Sequence, residues 1–226
     1  MVGSPGPRGF AWAWLVQPLY VVVELVAALA TGVGYSLTDD TISDLGARCA
    51  DAGATGCSSS PWLVSTAFVV FGVLQVMGAG WLLRSARGLA RSRAVVVVAL
   101  LWAVAGVSSA GVGVMPVDQH PTGHALVAVP VFVCQPLALL LHAGLLPRGA
   151  LWAVGTALGT VAVVGAVGFA VVLGADDGAG LWERLATWPA KLWLALVVLG
   201  PAGTPVEARS GPYTGAVEPP GPPAAA

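Results

Sequence analysis

Six long apolar runs separated by short polar connections constrain this chain more than any other feature. They cover residues 11–37, 62–83, 94–115, 123–146, 150–174 and 181–200. A helix needs about 20 apolar residues to cross the hydrocarbon core of a bilayer. Lipid offers no hydrogen bonds, so each backbone N–H and C=O must be satisfied within its own segment, which makes every crossing segment a helix. The expected fold is therefore all-α, a bundle of six transmembrane helices. The sixth run is the least apolar, because it holds Glu183, Arg184 and Lys191. Composition agrees: 9% of the residues are charged, against about 25% in soluble domains. A net charge of −1 without a basic stripe argues against a nucleic-acid partner. The expected partner is the lipid bilayer; a protein partner is not legible. Arginine in place of lysine, with much Ala, Val and Gly, points to a GC-rich bacterial source.

Loop charges set the expected orientation. Arg84, Arg87, Arg91 and Arg93 surround the second connection, Arg148 lies in the fourth, and Arg8 precedes the first run. The first, third and fifth connections hold Asp39, Asp40, Asp44, Asp51, Asp118, Asp176 and Asp177, with Arg48 the only base. The positive-inside rule then puts both termini in the cytoplasm, in a multi-pass protein of the cytoplasmic membrane. The first apolar run is too long for a cleavable signal peptide. Residues 1–10 form a cytoplasmic N-terminus, 11–200 the membrane domain, and 201–226 a proline-rich disordered tail. Cys49 and Cys57 share the first outer loop, where a disulfide can persist; two free thiols are the alternative.

Four polar motifs punctuate the runs. YSLTDDTISDLG at residues 35–46 ends the first helix and opens its loop. Ser60-Pro61-Trp62 starts the second, with Ser60 suited to an N-cap and Pro61 to the first helical position. GVGVMPVDQHPTGH at residues 111–124 joins the third and fourth helices. GLWERLATWPAKLW at residues 180–193 opens the sixth. In this order, YS…ISDLG, SPW, GVxxPxD…H and GLxERLxxxPxxLW, the chain resembles the domain-of-unknown-function 998 family of bacterial and archaeal membrane proteins. The resemblance runs from about Trp14 to Gly200. Asp40 and Met115 depart from it, where the family usually has Asn and Phe. It implies a six-helix membrane protein and no particular reaction.

The polar residues carried over from the resemblance are Asp44, Asp118, His124, Glu183 and Arg184. All fall on the outer side of the expected topology and are the candidate site. Two readings of this cluster stay open. In one, Arg184 bonds Asp44 or Asp118 in an ion-pair lattice that pins the loop to the helix ends. In the other, Asp118, His120 and His124 supply ligands for a divalent metal, with Glu183 or Asp44 as general base. Pro121 weighs against the metal, since it starts the fourth helix and puts His120 before it. Deeper in the membrane, Glu24 and Lys191 fall at similar depth and are expected to form a buried pair. Trp102, Trp152 and Trp182 are expected to be lipid-facing or interface anchors. The sequence thus supports a structural or partner- and lipid-associated membrane role, with two alternatives. One is an outward-facing hydrolase of a lipid or envelope intermediate; the other is a small transporter or proton-coupled permease. Absence of P-loop, GxSxG, HExxH and CxxC patterns argues against the enzyme classes those motifs define.

Overall fold

The computed structural model describes residues 10–48, 58–85, 93–173 and 178–200. The first span is built from two pieces, α1 (Trp12–Leu15) and α2 (Leu19–Thr31). Pro18 separates them, because it has no N–H to donate and its ring crowds the preceding turn. The Gln17 side chain repairs the break: its Nε2 donates to the Ala13 carbonyl at 3.3 Å and to the Phe71 carbonyl at 3.0 Å. Then come α3 (Pro61–Ser85), α4 (Arg93–Val114), α5 (Pro121–Gly144), α6 (Ala150–Val172) and α7 (Ala179–Leu199). Among the described residues the structure is all-helical.

Among the described residues, five helical segments are long and apolar enough to cross a membrane: Trp12–Thr31 and α3 to α6. The sixth expected span, α7, is long but carries Glu183, Arg184 and Lys191, and all three are buried. Consecutive helices from α3 to α7 pack side by side, and α7 also touches α1, α2 and α5. The bundle thereby closes, with α7 lined by neighbours on several faces. Small residues permit the closest approach. A Cβ on Gly72 of α3 would lie 2.5 Å from the Gly106 carbonyl of α4, and one on Gly106 would lie 2.7 Å from the Gly72 carbonyl. Such contact replaces the hydrophobic drive that lipid does not provide.

The first helix ends earlier than expected. The apolar run predicts a helix to residue 37, but α2 stops at Thr31. Gly32 takes a left-handed φ of 78°, and one 3₁₀ turn leads to extended backbone at Tyr35. Residues 35–48 then fold back over the end of the bundle. A turn closed by Asp44 N on the Thr41 carbonyl at 3.2 Å and a second 3₁₀ turn, Asp44–Gly46, carry Ile42 and Leu45 into the core. Both are fully buried, in a core with Tyr20, Val64 and Phe71.

A second core fills the opposite end. Trp14, Trp81, Trp102 and Trp193 pack there with Leu139 and Leu194. Trp102, expected against lipid, is instead wholly buried. Its indole N–H and that of Trp193 both donate to Nδ1 of His142 at 3.4 Å, because a buried indole N–H needs an acceptor. Cys49, Cys57 and the segments 1–9 and 201–226 lie outside the described residues.

Candidate functional site

The folded-back loop acts as the cap of α7. The first N–H groups of a helix have no partner within it. Here Gly180 N donates to the Asp39 carbonyl at 3.2 Å and Leu181 N to the Thr38 carbonyl at 2.8 Å. Gly178, left-handed at φ 81°, donates its N–H to Oδ1 of Asp39 at 3.0 Å. Asp39 also accepts from the hydroxyls of Ser36 at 2.7 Å and Thr38 at 3.0 Å. The Ser36 hydroxyl, then the Gly178 N–H and the Thr38 hydroxyl, hold its carboxyl below the usual aspartate range.

Arg184, one turn into α7, is the hub. Its Nε donates to Oε1 of Glu24 at 2.9 Å. Nη1 donates to the carbonyls of Leu37 at 2.7 Å and Asp40 at 2.9 Å. Nη2 donates to the Tyr35 hydroxyl at 2.5 Å, and that hydroxyl donates onward to the Thr41 carbonyl at 2.8 Å. Burial pushes the Tyr35 phenol well above its ordinary range, against the pull of Arg184. Glu24 spends its other oxygen on the Trp188 indole at 2.7 Å. The planar guanidinium thus ties the first span to three residues of the loop, a task suited to its rigid fork of donors.

The next residue serves the neighbouring face. Glu183 accepts the Ile42 N–H on Oε2 at 2.6 Å and the Ser43 hydroxyl stands 3.4 Å from Oε1. Ser43 Oγ also lies 3.0 Å from Nε2 of His124. Nδ1 of His124 lies 2.7 Å from the Met115 carbonyl, one of the carbonyls left free where α4 ends. His124 is buried in the first turn of α5, after Pro121 at the helix start.

The outcome for the expected residues is mixed. Arg184, Glu183 and His124 do converge on one loop. Arg184 bonds neither Asp44 nor Asp118. Asp44 turns onto its own 3₁₀ turn, taking the Thr41 N–H and hydroxyl, each at 2.7 Å. Asp118 accepts the Arg48 N–H at 3.1 Å, fastening the far end of the loop. His120 is exposed. Among the described residues, no three His, Cys, Asp or Glu side chains are placed to hold a metal ion.

The Glu24–Lys191 pair is corrected. Glu24 lies seven residues before the end of α2, roughly 10 Å deep by the helical rise. Lys191 lies twelve residues into α7, roughly 18 Å deep. The shorter first helix lifts Glu24 to the level of Arg184. Lys191 instead donates to Oε1 of Gln75 at 2.9 Å and sits over the Tyr20 ring at 5.2 Å. Ser43, Tyr35 and Trp188 were not singled out from the sequence. The signal for Ser43 was the pair Ile42 and Leu45 beside it: an apolar i, i+3 pair inside a polar loop marks a segment that returns to the core.

Among the described residues, five apolar spans, a charged but buried α7 and a loop sealed across one end make up an all-helical arrangement, that of a multi-pass membrane protein. The chain belongs to the family described as Protein of unknown function (DUF998), whose model matches residues 14–200. No curated protein and no solved structure matches it.

Proposed function

We propose that this is a structural, partner- or lipid-associated protein of the cytoplasmic membrane, with α7 as a sixth span and both termini inside. The loop end then faces outward and forms a rigid cap on that surface. The arginine distribution of the connections supports the orientation. Burial of all three charged residues of α7 supports its place inside the bundle rather than at its surface. The observation that carries the structural reading is Arg184. Four of its five N–H groups go to Glu24, Tyr35 and the loop backbone. A cation spent in this way holds chain segments together and has little left for a passing solute.

The test is Arg184→Met in the full-length protein reconstituted in nanodiscs. The variant is expected to stay in the membrane while its loop, residues 35–48, becomes susceptible to added protease. A loop equally resistant in the variant and the parent refutes the cap.

A further inference from the structure

Ser43 and His124 have the arrangement of an activated nucleophile, which a purely structural cap does not require. A carbonyl oxygen can only accept, so the Met115 carbonyl at 2.7 Å fixes the proton of neutral His124 on Nδ1. Nε2 is then the bare nitrogen, and it faces the Ser43 hydroxyl at 3.0 Å. This is the relation between nucleophile, base and orienting group that covalent catalysis uses, with a backbone carbonyl as the orienting group. Glu183 stands across the same hydroxyl from His124, its Oε1 3.4 Å from Ser43 Oγ. Its other oxygen is held by the Ile42 N–H.

The surroundings point to a substrate class. Ser43 is half-buried, and buried Ile42 and Leu45 flank its turn. The pair sits where α5 and α7 begin, level with the ends of the spans, which is the depth of the ester linkages of a bilayer lipid. Beside it opens a depression of about 510 Å³ lined by Val114, Met115, His120, Pro121, Thr122 and Gly123. Met115, whose carbonyl orients His124, and Gly123, which precedes His124 in the chain, bring this largely apolar wall to the start of α5. An acyl chain fits such a wall.

We infer that Ser43 and His124 are the nucleophile and general base of a site that cleaves carboxylic esters of membrane lipids. Ser43 Oγ bonds to the ester carbonyl carbon as its proton passes to Nε2 of His124. The bond from that carbon to the alcohol oxygen breaks, and the alcohol leaves with the proton from His124. Water then attacks the acyl-serine, giving one proton to Nε2. The fatty acid departs, and Ser43 recovers its proton from His124. The net change is ester plus water to acid plus alcohol. The inference uses the sealed cap only to fix the position of Ser43.

The test treats the full-length protein, in nanodiscs of dioleoyl phosphatidylglycerol, with a fluorophosphonate probe and maps the adduct by mass spectrometry. The expected adduct is on Ser43 and absent in Ser43→Ala. His124→Gln should slow labelling by about 100-fold or more, the usual worth of a general base, and flatten its rise with pH. Oleic acid should be released from the ester lipid, not from a diether lipid of the same head group, and not by Ser43→Ala. A correctly folded parent protein with no adduct at Ser43 overturns the inference, whatever the variants do. So does labelling equally fast in a folded His124→Gln, or oleate release unchanged by Ser43→Ala. Protease resistance of the loop, measured alongside, reports on the cap separately, so either idea can fail without the other.

Discussion

Arg184 meets Glu24 at 2.9 Å across 160 positions of sequence, and this is the one salt bridge among the described residues. Both side chains are almost wholly enclosed, the guanidinium at 5% exposure and the carboxylate at 1%. Replacing one partner leaves an uncompensated charge in a medium that solvates it poorly. Glu24→Leu alone should destabilise by about 3–5 kcal/mol, the cost of breaking a buried pair in soluble proteins. Glu24→Leu with Arg184→Met should recover part of that loss. Recovery is partial because Arg184 also holds three loop oxygens. Denaturant titration of the parent, the two single variants and the double variant in one detergent measures the coupling; independent, additive effects would contradict the pair.

Arg184→Lys isolates geometry from charge. A lysine keeps the attraction to Glu24 but has one nitrogen, and it cannot reach Leu37, Asp40 and Tyr35 together. The variant should retain most of the global stability while the amides of Gly180 and Leu181 exchange faster. Exchange rates matching the parent's would mean the loop is held by Ile42 and Leu45 alone.

Acid should loosen the cap at one identifiable point. The Asp39 carboxyl is held below its ordinary value of 3.8 by the Ser36 hydroxyl, the Gly178 N–H and the Thr38 hydroxyl. A lowered folded-state value means the ionised form is favoured by folding. Its contribution is complete above about the ordinary value and is lost as pH falls through the lower folded one. Protection of the Gly178 amide should fall in that range, below pH 3.8. Asp39→Asn should show the same loosening at neutral pH and no further acid step. A parent profile that is flat down to pH 2 would remove the bond from the account.

Two glycines offer a matched contrast. A Cβ on Gly180 would stand 2.7 Å from Nη1 of Arg184 and closer still to the Asp40 carbonyl, so the loop backbone must shift. Gly180→Ala should destabilise by about 1–3 kcal/mol, the range for overpacking. Gly80 in α3 has nothing within 4 Å of such a Cβ. Gly80→Ala should be neutral or stabilising by up to about 1 kcal/mol, since alanine is the better helix former. Equal effects at the two sites would mean the loop does not press on α7.

Topology is open to direct labelling. Single cysteines at 176 and 87, in a background lacking the native cysteines, should behave oppositely toward a membrane-impermeant maleimide. Position 176 should react in intact cells and position 87 only after permeabilisation. The reverse pattern would invert the proposed orientation and place the cap in the cytoplasm.

The helices were legible because lipid imposes one rule on every residue of a span, and a local count of apolar residues captures it. The start of α3 at Pro61 followed from the Ser60-Pro61 capping signal, and the approach of Glu183, Arg184 and His124 to one surface from the motifs of the resemblance set on the order of the spans. What was not legible depended on a single backbone angle. Gly32 turns left-handed and ends α2 six residues before the expected limit, and that shift moved Glu24 from the level of Lys191 to that of Arg184. Trp102 escaped for a different reason. A tryptophan in a span satisfies its N–H either at the interface or on a buried acceptor, and only the tertiary placement of His142 decides between them. Ser43 needed the fold-back of the loop, which is a contact between segments 81 positions apart from His124.

The cap also has a consequence in time. A ribosome makes Glu24 long before Arg184, and the helix that closes the bundle is among the last to emerge. Throughout that interval the first span carries a carboxyl into the bilayer with no cation to meet it, a state membrane segments tolerate poorly. The nascent chain must therefore keep its first helix beside the insertion machinery, or hold the acid protonated, until α7 arrives. A chain truncated before residue 184 would lack the guanidinium altogether, and its first span would have to carry the acid in neutral form.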